Sequence, residues 1–98
     1  LVQVGYTRGV PMGGDLPFRR TSDAVPTFVV SALADPGTST RPGTPLQRIQ
    51  LIKGWVEEGQ AFEQVFDIAG DANNGASVSP TTCVQSGPGA SSLCAVFK

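Results

Sequence analysis

The chain has no histidine, one tryptophan, one tyrosine and one methionine among its 98 residues, and only 15% of it is charged. The missing histidine removes the commonest general base, the commonest zinc ligand and every histidine-based nucleophile triad. Seven basic and eight acidic residues leave a net charge of -1, so no basic field exists to hold a phosphate backbone or an anionic bilayer, and nucleic acid is not an expected partner. No window reaches the roughly 18 apolar residues of a membrane span, and no charged start followed by an apolar block marks a signal peptide. The acidic residues lack calcium-loop spacing, and neither G-x-G-x-x-G nor G-x-x-x-x-G-K-[ST] is present to cradle a phosphate. No cofactor or metal is expected, and no catalytic residue is assigned.

What the sequence has in excess is turn chemistry. Twelve glycines and eight prolines, about a fifth of the chain, sit between apolar runs, as they do in turn-rich β proteins. "LVQVGYTR" alternates Val2, Val4 and Tyr6 with Gln3, Gly5 and Thr7, the period of a half-buried strand. A β-branched and aromatic run from Thr27 to Leu33, closed by Asp35-Pro36-Gly37, predicts a second strand. "LQRIQLIKGWVEEGQAFEQVFDIAG" predicts two strands joined by a tight turn at Glu57-Glu58-Gly59. A helix competes over Leu46 to Lys53, but Gly54 and the β-branched residues favour the strand. "LCAVFK" begins a further strand after a polar, glycine-rich stretch.

The loop "RGVPMGGDLPFRR" is the first candidate site. Gly13 and Gly14 would let a backbone approach a ligand while Asp15 accepts a hydrogen bond, with Arg19 and Arg20 nearby. The plainer reading gives the glycines positive φ in a turn and gives Asp15 local amides to satisfy. Trp55 reads as a core anchor, with sugar stacking as the sharper alternative. Cys83 and Cys94 have neither histidine nor further cysteines beside them and make a poor metal site, leaving a disulfide or two free thiols. We expect the disulfide, which would close a loop of about 12 residues, contribute on the order of 3 kcal/mol and indicate an oxidising compartment.

Four blocks, "GVPMGGDLP", "PLQRIQLIKGW", "FEQVFDIAGD" and "TTCVQSGPGASSLCAVFK", carry a likeness across most of the chain. In matching order, they resemble the C-terminal part of the bacterial family of domain of unknown function 3604. The resemblance implies a parent of several hundred residues whose N-terminal region is similar to PHP-type metal-dependent hydrolases, often with an export signal. It implies an exported or periplasmic location and places the Arg8 to Arg20 loop at an interdomain or active-site rim. None of that region's metal-binding histidines falls in this sequence.

The expected architecture is a single all-β domain over residues 1–98, a two-sheet antiparallel sandwich of the immunoglobulin or fibronectin type III kind with about five to seven short strands. A small open barrel is second. The chain opens at Leu1 and closes at Phe97-Lys98 inside apolar, strand-like runs. We therefore expect a piece of a longer protein whose exposed strand edges pair with a second copy. The expected role is a non-catalytic accessory domain packed on the hydrolase-like remainder of its parent. The alternative is a ligand- or carbohydrate-binding module using Trp55, Tyr6 and the Gly13-Gly14-Asp15 loop.

Overall fold

A computed structural model describes residues 2–98. Among them are one short helix, α1 (Val2–Arg8), and six strands, β1 (Phe28–Leu33), β2 (Arg48–Glu57), β3 (Gln60–Gly70), β4 (Ser77–Val78), β5 (Gln85–Ser86) and β6 (Ser92–Phe97). The strands pair antiparallel in three two-stranded sheets, β1 with β6, β2 with β3, and β4 with β5. The protein is thus mostly β, built from small antiparallel sheets.

The β2–β3 hairpin follows from its turn. Glu57 and Gln60 close the ladder, leaving Glu58 and Gly59 with φ of 51° and 79°. Two successive positive φ values match the twist of a two-residue hairpin loop. Ile68 is the extra residue of a bulge: Ile49 faces Ala69, and the next pair is Gln50 with Asp67. β1 ends where Pro36 cannot donate and the Gly37 N–H donates to Asp35 Oδ1 at 2.8 Å, with Gly37 at a φ of 69°.

Registers fix which residues meet. Val30 and Ala32 on β1 share a face with Leu93, Ala95 and Phe97 on β6, and all five are half-buried. This face meets the root of the β2–β3 hairpin, where the Phe66 and Phe97 ring centroids lie 4.9 Å apart and Leu51 and Ile68 are also half-buried. Each layer is only two strands wide, so neither covers the other. Ala76, at 6% exposure, is the one buried hydrophobic among the described residues.

The opening segment corrects the first expectation. Val2–Arg8 is a helix, not a strand. A two-residue period makes a strand only where a neighbour pairs with its backbone, and no strand of the three sheets pairs with this segment. The segment bonds locally instead, with the Gly9 N–H donating to Gly5 O at 2.9 Å and the Thr7 hydroxyl donating to Gln3 O at 3.0 Å. Gly5 faces Val29, where an added Cβ would make ordinary contact at 3.7 Å, and Val2, Val4 and Tyr6 stay exposed.

The expected disulfide is also corrected, since Cys83 and Cys94 are both free and exposed. Cys83 sits beyond β4 in a left-handed turn, with a φ of 58° and its N–H donating to Ser79 O at 2.9 Å. Cys94 lies in β6 opposite Ser31, on the face opposite that of Ala95 and Phe97. One thiol thus lies in the turn between β4 and β5 and the other within the β1–β6 ladder.

Candidate functional site

The loop from Gly9 to Pro26 is exposed throughout. Its turn is built by Pro11 to Gly14, where the Gly14 N–H donates to Pro11 O at 3.0 Å and Gly13 takes a φ of 86°. A Cβ at Gly13 would meet nothing within 4 Å, so its backbone angle, not close approach of a neighbour, is what calls for glycine there. Arg19 Nη1 donates to Ser22 O at 3.0 Å and the Ser22 hydroxyl to Asp23 Oδ1 at 3.2 Å, which folds this stretch onto itself. Asp15 and Arg20 are exposed.

Two hollows exist. A groove of about 320 Å³ runs between α1 and β1, lined by Tyr6, Val10, Pro11, Met12, Val29 and Ser31 among others. Its walls are mixed, with valine, proline and methionine beside Thr27, Ser31 and the Tyr6 phenol. A second hollow of about 270 Å³ lies between Thr44, Gln47, Ser77 and Gln85. Among the described residues, Gly13, Gly14, Asp15, Arg19, Arg20 and Trp55 line neither. Tyr6 therefore joins the start of the loop, while Trp55 stands apart.

Trp55 faces Phe62 across the hairpin in register. Their rings stack at 5.5 Å between centroids and 18° between planes, and Lys53 Nζ sits 5.2 Å from the indole centroid. The Phe62 ring and the Lys53 ammonium both compete for the indole surface that a sugar would stack on. On the opposite face of the same strands, Ile52, Val56 and Val65 are 61%, 73% and 47% exposed. The hairpin tip thus presents apolar side chains on both faces.

A polar knot holds the other end of the chain and had no motif to announce it. Asn74 Nδ2 donates to Leu46 O at 3.0 Å and to Gln47 O at 2.9 Å, and its Oδ1 accepts from the Ala76 N–H at 3.0 Å. Gln47 Nε2 donates to Ala76 O at 2.8 Å, and Leu46 and Ala90 exchange backbone bonds of 2.9 and 2.8 Å. The one sequence hint was Asn74-Gly75, a turn dipeptide. It marks a bend without naming the carbonyls that Asn74 reaches.

Among the described residues no group of three or more histidine, cysteine, aspartate or glutamate side chains is placed to hold a metal ion. No helix among them is long and apolar enough to cross a membrane. Chemically, the molecule is a small antiparallel β protein whose distinctive features are apolar surfaces and free strand edges. The model of the family described as protein of unknown function (DUF3604) matches residues 1–96, and the chain belongs to that family. No curated protein and no solved structure matches it.

Proposed function

We propose that this chain is a non-catalytic accessory β-domain of a larger, metal-dependent hydrolase-like protein, and that its strands complete a sandwich of the immunoglobulin or fibronectin type III kind with surfaces supplied by that protein. The observation that carries this reading is area. The accessible surface is 8228 Å², whereas a compact monomer of 10.2 kDa exposes about 5,300 Å². The excess of roughly 2,900 Å² is of the order that a permanent interface covers. The radius of gyration, 17.2 Å against about 13 Å for a compact chain of this length, agrees with it. Apolar side chains on both faces of β2 and β3 are what strands covered on both faces carry.

The hydrolase-like parent and an exported location rest on the family likeness alone, and the free thiols of Cys83 and Cys94 add nothing to the case for an oxidising compartment. The groove beside Tyr6 favours a second reading, a small-ligand module that binds there and not at Trp55. One experiment separates the two. The chain is titrated with an environment-sensitive hydrophobic dye and, separately, with a glycan and metabolite panel. The accessory reading expects strong dye binding that falls when the chain is part of a longer family polypeptide, and no saturable ligand. Saturable ligand binding with dye fluorescence no higher than that of a compact control protein overturns it.

A further inference from the structure

The faces of the β2–β3 hairpin have been accounted for above, but its edges have not. A two-residue loop makes Glu57 and Gln60 a hydrogen-bonded pair. Alternation then points the backbone N–H and C=O of Leu51, Lys53 and Trp55 at β3, and those of Gln50, Ile52, Gly54 and Val56 outward. On β3 the outward set is Ala61, Glu63, Val65 and Asp67. No strand among the described residues pairs with either outer edge. Two unpaired edges of ten and eleven residues are templates for another strand.

The two edges differ in what guards them. β3 carries the carboxylates of Glu63 and Asp67 at outward positions, and it is also the strand whose Phe66 ring packs on Phe97. β2 carries arginine, glutamine, isoleucine, glycine and valine at its outward positions. The single outward charge, Arg48, lies at the start of the strand, pairs with Asp67 of its own hairpin and would face Val56 of the second copy. A second copy of β2, antiparallel and centred on Ile52, fits this edge without opposing like charges. Arg48 to Val56 all overlap in that register. One face of the joined sheet then runs Val65, Ile52, Ile52 of the second copy, Val65 of the second copy, an unbroken apolar row. On the other face Trp55 meets the second copy's Ile49, and Lys53 meets its Leu51. Gly54 faces Gln50, keeping bulk away from that row.

We propose that two copies of this chain join through antiparallel pairing of β2 about Ile52, giving a continuous sheet in the order β3, β2, β2, β3. Self-complementarity about a two-fold axis singles out a second copy as the occupant. The proposal goes beyond the accessory-domain reading and does not depend on it, because it concerns an edge and leaves the faces free.

The test uses light scattering and sedimentation over a concentration series, with hydrogen exchange on the unaltered chain. We expect a dimer in which the amides of Ile52, Gly54 and Val56 gain protection as concentration rises, while those of Ala61, Glu63 and Val65 do not. Ile52→Lys sets two ammonium groups side by side across the axis and raises the dissociation constant by about tenfold or more. Ile52→Glu does the same, and mixing the two variants restores dimers. Val65→Lys, on the same face but one strand removed from the axis, has a much smaller effect. A monomer at every concentration overturns the proposal, as does a dimer whose new protection falls on β3 or that Ile52→Lys leaves intact. If both Ile52 variants lose their folded circular dichroism, the exchange pattern of the unaltered chain decides alone.

Discussion

The polar knot around Asn74 and the β2–β3 hairpin are opposites within one chain. The knot lies outside the strands, next to the shortest of them, β4 at two residues, yet Asn74 fills both its donors and its acceptor there. Ala76, the buried residue, lies in it. The hairpin has the longest strands and the longest ladder, yet most of its side chains are exposed. Regular backbone pairing and burial are thus separate achievements. The knot is finished by its own side chains, whereas the hairpin is internally bonded and externally incomplete.

The comparison breaks most readily at Asn74. Asn74→Ala removes two donors and an acceptor and leaves the Leu46 and Gln47 carbonyls and the Ala76 amide without their partner in a half-covered site. At roughly 1 kcal/mol per neutral hydrogen bond, the loss is about 3 kcal/mol, read from the urea midpoint at unchanged slope. Asn74→Asp should recover little, because a carboxylate keeps the acceptor but faces two carbonyls. A loss below about 1 kcal/mol would show that the knot is solvated and that the contrast with the hairpin is only geometric.

How much of this was legible in the sequence depends on whether the cause is local. The Thr27 to Leu33 run, the turn at Glu58-Gly59 and the strand at "LCAVF" are written in adjacent residues, and the structure has β1, the β2–β3 turn and β6 there. Val2 to Arg8 differs because alternation records a side-chain pattern and says nothing about whether the backbone bonds within the segment or to another strand. Cys83 and Cys94 differ because their closeness in sequence hides that one lies in a left-handed turn outside the strands and the other in β6. The knot was invisible because Asn74 reaches carbonyls more than 25 residues away. Of the candidate site, local residues place the Gly13 turn in a loop and Trp55 in a strand, but do not reveal that neither lines a hollow among the described residues.

The hairpin root offers a second, smaller break. Phe97 meets Phe66 at 4.9 Å, and both rings are half-buried. Full burial would make Phe97→Ala cost about 3 to 5 kcal/mol, and partial cover reduces this to about 2 kcal/mol. Thermal or urea unfolding measures it. A cost equal to that of Asn74→Ala or larger would place the molecule's main anchor in its aromatic contact.

The hairpin turn can be sharpened instead of broken. Glu58 holds a φ of 51°, a left-handed conformation that costs a residue of its type roughly 1 kcal/mol and that asparagine beside Gly59 tolerates. Glu58→Asn should therefore raise stability by about 1 kcal/mol and slow unfolding of the hairpin. No gain would mean that the hairpin is not part of the cooperative unit, so that its ladder and the knot unfold separately.

The smallest expected effect lies where the hairpin leaves the knot. Arg48 Nη1 is 3.4 Å from Asp67 Oδ2, with the two side chains 34% and 53% exposed, and Gln50 Nε2 donates to the other carboxylate oxygen at 2.7 Å. Water screens a pair this exposed, and holding two flexible side chains costs entropy, so Arg48→Ala should lower stability by less than about 0.5 kcal/mol. Asp67→Asn should cost little more, since an amide oxygen still accepts from Gln50. The group's value lies in register, because it straddles the bulge at Ile68. Without it, pairing of Ile49 with Ala69 and of Gln50 with Asp67 loses its side-chain lock, and a slip by one residue would turn Leu51 and Phe66 away from Phe97. The measurement is paired: urea unfolding for stability, and nuclear Overhauser contacts between Phe66 and Phe97 for register. We expect Arg48→Ala/Asp67→Ala to keep most of its stability while those contacts weaken. A large stability loss that disappears in 1 M salt would instead make this ion pair, and not the aromatic contact, what holds the hairpin to the rest of the chain.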